Sequence, residues 1–183
     1  MRALLLLVLC LATSCGYRLG DCSSLTHAYE TITIPYACGD RDGLFTAALI
    51  NEVATSGLWE YRQCGGALVL KGTLECLTHE NIGFEYDTND QGEQTKLIVP
   101  NEGRLYATFR FTIVEGHSGR ILLGPSCVQT WVDYDFDPLS TTDAIAPFSL
   151  GQFAMIDEAQ DVARLPLYRE LSRKVVDFLA CAW

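Results

Sequence analysis

The chain has no apolar run long enough to cross a bilayer as a helix, which takes roughly 20 residues. Its longest stretch, Ala3 to Leu11, opens behind a single Arg2 and is about half that. A permanent helical span is therefore not expected. Basic residues are scarce, 13 Lys and Arg against 23 Asp and Glu, for a formal charge of -10. Such a balance repels nucleic acid and anionic membranes, so neither is expected as a general partner. No CxxC, HxxxH, HExxH or GxSxG spacing occurs, and the three histidines, His27, His79 and His117, are far apart. Redox, zinc and serine-hydrolase motifs thus have no support, and we expect neither catalysis nor a cofactor nor a metal. No internal repeat is present.

What the N-terminus does carry is an export signal: a positive start, an apolar middle and the small residues Ala12-Thr13-Ser14 directly before Cys15. A cysteine in this place has the order of a bacterial lipobox, in which the thiol is acylated and becomes the first residue. Residues 1–14 are read as the signal peptide, Cys15 as the lipid attachment site and 15–30 as a lipidated tether. Acylation of both amine and thiol would hold the chain on a membrane without crossing it. Gly16 stands where an Asp would favour inner-membrane retention, so the outer membrane is expected. Losing the signal removes Arg2 and no acid, which leaves the mature chain more acidic still.

Of eight cysteines, Cys10 lies in the signal and Cys15 would carry lipid, leaving Cys22, Cys38, Cys64, Cys76, Cys127 and Cys181. An even number in an exported protein leads us to expect at least one disulfide, of unspecified connectivity. Cys76 reads instead as a small apolar residue on a buried strand face.

From residue 31 onward, one domain, 31–183, is expected. Thr31-Ile32-Thr33-Ile34-Pro35-Tyr36 alternates and is β-branched, a strand that Pro35 places at an edge or end. The turn 39–43 leads to a helix from Leu44 to Ser56, with Phe45, Leu49 and Val53 on one stripe and Gly57 positioned to end it. A second strand, 67–76, should be parallel to the first. Residues 79–103 are rich in turn formers and read as a long loop. A strand from Arg104 to Val114 follows, with Leu105, Ala107, Phe109, Phe111 and Ile113 inward, then a hairpin at 116–119 and a strand from 120 to 132 bent near Gly124-Pro125. Residues 133–151 show no clear period. Leu167, Leu171, Val175 and Phe178 recur at helical spacing, with Pro166 starting this last helix or kinking it away from 152–162. The fold class expected is α+β, two helices on one face of a small mixed sheet of about four strands, in the order β-α-β-β-β-α.

This order resembles a known family. Cys-Gly-Tyr-Arg-Leu at 15–19, Thr-Ile-Thr-Ile-Pro at 31–35, a helix, Ala-Leu-Val-Leu-Lys-Gly at 67–72, Glu-Tyr-Asp-Thr-Asn-Asp-Gln-Gly at 85–92, a hairpin and a C-terminal amphipathic helix together resemble the LPS-assembly lipoprotein (LptE) family. The extra cysteines and the segments 79–103 and 133–151 depart from its pattern. The resemblance implies a non-enzymatic outer-membrane lipoprotein on the periplasmic face. Its implied partners are the LPS-translocating β-barrel, which it plugs and supports, lipopolysaccharide, and the membrane through the N-terminal lipid. Another envelope lipoprotein, such as a lipid-transporter accessory subunit or a disulfide-linked structural protein, is the alternative. Strand alternation places Lys71, Arg104 and Arg110 outward, opposite the apolar faces, as candidate lipopolysaccharide-binding residues. Outward acids such as Glu75 offer these cations ordinary ion pairs instead.

Overall fold

The structure, a computed structural model, describes residues 24–88, 91, 94–136 and 156–181. The signal peptide, Cys15, Cys22 and most of segment 133–151 lie outside the described residues. The elements are α1 (Ser24–Ala28), β1 (Thr31–Thr33), α2 (Leu44–Ser56), β2 (Glu60–Tyr61), β3 (Leu68–Leu74), β4 (Thr78–Thr88), β5 (Gln94–Glu115), β6 (Ile121–Asp135) and α3 (Ile156–Cys181).

β1 runs parallel to β3, with α2 between them in sequence, which is the strand-helix-strand crossover the sequence led us to expect. β2 adds a short parallel strand on the other edge of β1. β5, 22 residues long, is the spine of the sheet. One of its edges takes β3 along Phe109–Glu115 and β4 along Gln94–Tyr106, while the other takes β6 in a hairpin. The sheet therefore has six strands rather than about four, and the element order includes β2, β4 and α1 beyond those expected.

The core forms because one face of this sheet repeats apolar residues at period two. Leu105, Ala107, Phe109, Phe111 and Ile113 are all buried, as are Leu68, Leu70 and Leu74 of β3. Gly72 sits among them because a Cβ there would run into the Phe109 ring; its absence lets Phe109 stack on Phe111 at 5.5 Å. α2 covers this face with Phe45, Leu49 and Val53, and α3 with Leu167, Leu171, Val175 and Leu179, every one fully buried. Phe45 joins the layers, with its ring centroid 4.8 Å from Phe109 and 5.8 Å from Tyr168. α2 starts on a buried carboxylate: Asp40 Oδ2 accepts from the Thr46 amide at 2.7 Å and its hydroxyl at 2.5 Å, serving the otherwise unpaired first turn. Gly57 ends the helix at φ 69°, the left-handed conformation read from the sequence.

Several expectations are corrected. Residues 79–88 and 94–103 are not a loop: they belong to β4 and to the first half of β5. The turn formers that disguised them sit at irregularities, Asn81 to Gly83 at a register shift and Pro100 beyond the last β6 pair, Glu102 with Asp135. There, among the described residues, one edge of β5 carries no paired strand, a position that tolerates proline. Residues 133–135 complete β6, and Phe136 behind them is buried.

Pro166 neither starts nor kinks off the last helix but lies inside continuous α3. Its side is exposed, so the carbonyl left without an amide partner, that of Val162, belongs to a residue facing water. The tether reading of 15–30 also changes at its end: α1 buries Leu25, and the Tyr29 hydroxyl donates to Glu115 Oε1 at 2.9 Å. Cys38, Cys64, Cys76, Cys127 and Cys181 are all unpaired and exposed, so the expected disulfide does not form among the described residues, and Cys76 is not a core residue.

Candidate functional site

Among the described residues the face of the sheet opposite the helices is open, and it carries the three cations singled out from the sequence. Lys71 of β3 stands opposite Thr112 of β5, and Thr73 opposite Arg110, so Lys71 and Arg110 are diagonal neighbours on this face. Arg104 lies six residues further along β5, about 20 Å at the rise of an extended strand. The structure thus brings two of the three together and leaves the third apart.

Both arginines have partners. Arg110 donates from Nη2 and Nε to Glu75 Oε1 at 3.0 and 3.3 Å. Arg104 makes a two-pronged pair with Asp133 of β6, Nε to Oδ1 at 2.6 Å and Nη2 to Oδ2 at 2.8 Å. This fork geometry is the strong form of a charge-assisted hydrogen bond. It holds the Asp133 carboxyl below the usual carboxylate range, and Glu75 raises the Arg110 pKa. Lys71 is exposed and has no carboxylate within ion-pair distance among the described residues.

Around Arg104 the face turns aromatic, a feature the sequence reading missed. Trp131 of β6 pairs with Tyr106 in register, and their rings lie 6.4 Å apart. The Arg104 guanidinium is 5.5 Å from the Trp131 centroid and the Lys174 ammonium of α3 is 5.2 Å from it. Both cations are within reach of the negative face of the indole. The Tyr106 hydroxyl donates to Glu80 Oε2 at 3.0 Å. The signal for this cluster was the period-two pairing of Tyr106 with its neighbours, but the β6 register that supplies Trp131 and Asp133 depends on an irregularity between Phe111 and Ile113.

Chemically the face can bind anions at Lys71 and, by displacing Glu75, at Arg110. Among the described residues no group of His, Cys, Asp or Glu is arranged to hold a metal ion. His79 is taken up by Tyr134 and by Asn81 Oδ1, the latter at 2.7 Å.

No family model matches the chain, and no curated protein matches it. Solved structures do resemble it in fold. One is the minor lipoprotein of Acinetobacter baumannii, at 14% identity and a TM-score of 0.50, covering 83% of this chain and 91% of that one. Rare lipoprotein B from Shewanella oneidensis matches at 12% identity and 0.42, over 82% and 90%. Lipoprotein B from Nitrosomonas europaea matches at 10% and 0.47, over 91% and 88%. The fold is thus one found in bacterial lipoproteins.

Proposed function

We propose that this chain is a non-enzymatic outer-membrane lipoprotein of lipopolysaccharide assembly, anchored by acylated Cys15 on the periplasmic face, which plugs and supports the LPS-translocating β-barrel. The observation that carries the reading is the pairing of a lipobox-type Cys15 with a lipoprotein fold: the Acinetobacter baumannii likeness extends over most of both chains. The order of motifs from residue 15 to the C-terminal helix points the same way. Lys71 and Arg110 are the residues we assign to phosphate contact on the open face, with Arg104, about 20 Å further along β5, as a separate candidate.

Two experiments test it. Fatty-acid labelling should mark the protein and lose the mark in Cys15→Ala. The full chain, isolated from the envelope, should bring a β-barrel protein with it.

One observation favours a second reading. Five exposed, unpaired thiols in an exported protein are what a disulfide-linked structural lipoprotein would present. Non-reducing electrophoresis of envelope material decides: high-mass adducts that collapse on reduction support the structural role, and a monomer with freely alkylated thiols removes it.

A further inference from the structure

Beyond the last β6 pair, Glu102 with Asp135, β4 and the first part of β5 continue as a two-stranded ribbon. Its registers sort the side chains. Phe84 pairs with Pro100 and Tyr86 with Ile98 on one face, while Glu85 pairs with Val99 on the other. Phe84, Tyr86 and Ile98 are 60%, 55% and 56% exposed, a contiguous apolar patch far from the core.

The same strand is acidic and uncompensated. Glu80, Glu85 and Asp87 of β4 have no cation within ion-pair distance among the described residues, although acids on β5, β6 and α3 do. Among the described residues Glu80 and Glu85 accept from neutral donors, the Tyr106 hydroxyl at 3.0 Å and Asn101 Nδ2 at 3.3 Å. β4 pairs with β5 alone, so among the described residues its second edge carries no strand.

We propose that this free edge of β4 is a docking edge for an extended segment of another protein in which apolar and basic residues alternate. An open strand edge presents backbone donors and acceptors that an extended polypeptide matches. A strand added beside β4 would place every second side chain on the Phe84–Tyr86 face and the rest on the Glu85 face. The first set must be apolar to cover the rings, and the second cationic to neutralise the acids. A second copy of this chain fits poorly, because pairing β4 with itself sets Glu80, Glu85 and Asp87 against like charges in a protein already at -10. Charges do protect edge strands from aggregation. Protection alone leaves the exposed rings unexplained, since patches of that kind mark interaction sites.

The test uses the full chain in detergent and two synthetic peptides, one alternating Val and Lys, the other Val and Glu. The Val-Lys peptide should bind and slow hydrogen exchange of the amides of residues 84–87, with affinity falling about tenfold or more at high salt. Glu85→Lys with Asp87→Lys should lose that peptide and gain the Val-Glu one. Exchange on the unmodified chain is a readout that does not depend on the variant folding. Binding of both peptides alike, no protection of β4 by either, or slow exchange at β4 from self-association in the absence of peptide overturns the proposal. A negative result leaves association with a β-barrel to be decided by co-purification alone.

Discussion

Arg110 and Glu75 meet on the open sheet face through two hydrogen bonds to one carboxylate oxygen, at 3.0 and 3.3 Å. A phosphate that takes the Nε and Nη2 donors of Arg110 therefore displaces Glu75, while Lys71, its diagonal neighbour, stands without an ion-pair partner among the described residues. The pair is exposed on both sides, so displacement costs little.

This competition gives a sign to a mutation. Glu75→Gln should bind lipopolysaccharide a few-fold more tightly than the unmodified chain at low salt, and Lys71→Ala with Arg110→Ala more weakly, the differences shrinking as salt rises. A titration with lipopolysaccharide at two ionic strengths checks it. Equal affinities in all three proteins would remove this face as the contact.

Arg104 holds the Asp133 carboxyl below its ordinary range, so folding favours the ionised form. The pair stabilises the fold above the unfolded carboxylate pKa of about 3.9 and loses that contribution as pH falls through the lower folded value. Because Asp133 is half exposed, the effect is small. Asp133→Asn should melt slightly below the unmodified protein at pH 7, and the gap should close as pH falls below the lowered folded value. A gap that widens in acid would contradict the pairing.

Asp40 is 1% exposed and accepts from the amides of Phe45 and Thr46 and the Thr46 hydroxyl. Asp40→Ala strands those donors in the interior, which costs about 1–3 kcal/mol. Thermal or denaturant melting measures it; Asp40→Asn, which retains an acceptor, should lose less.

Pro166 breaks the hydrogen-bond ladder of α3 on an exposed side. Pro166→Ala should stabilise the protein, by up to about 3 kcal/mol if the helix otherwise keeps its course. A destabilised variant would mean that the proline sets the path of α3 over the sheet.

How much of this was legible in the sequence depended on whether one face had to be buried. Leu105 to Ile113 alternated because the helices cover one side of β5, and Phe45, Leu49 and Val53 fell on one helical stripe for the same reason. Among the described residues no helix covers the ribbon beyond Glu102, whose Phe84, Tyr86 and Ile98 are exposed, so its composition was free of that constraint and its bulge residues looked like a loop. The Arg110–Glu75 pair was foreseeable from alternation on neighbouring strands. Arg104–Asp133 was not, because it requires the register of β6 past an irregularity at Phe111 to Ile113. The cysteine count implied no particular pairing, because it is even whether or not any two come within bonding distance, and the five among the described residues are unpaired.

Envelope association tests the central claim most directly. The full chain carrying a C-terminal tag is extracted in mild detergent, captured and analysed for heat-modifiable β-barrel proteins by mass spectrometry. The account expects one large outer-membrane barrel of lipopolysaccharide assembly in about stoichiometric amount, retained through high-salt washes and reduced in Cys15→Ala. Capture of the chain alone, or of partners joined only through reducible disulfides, would contradict it.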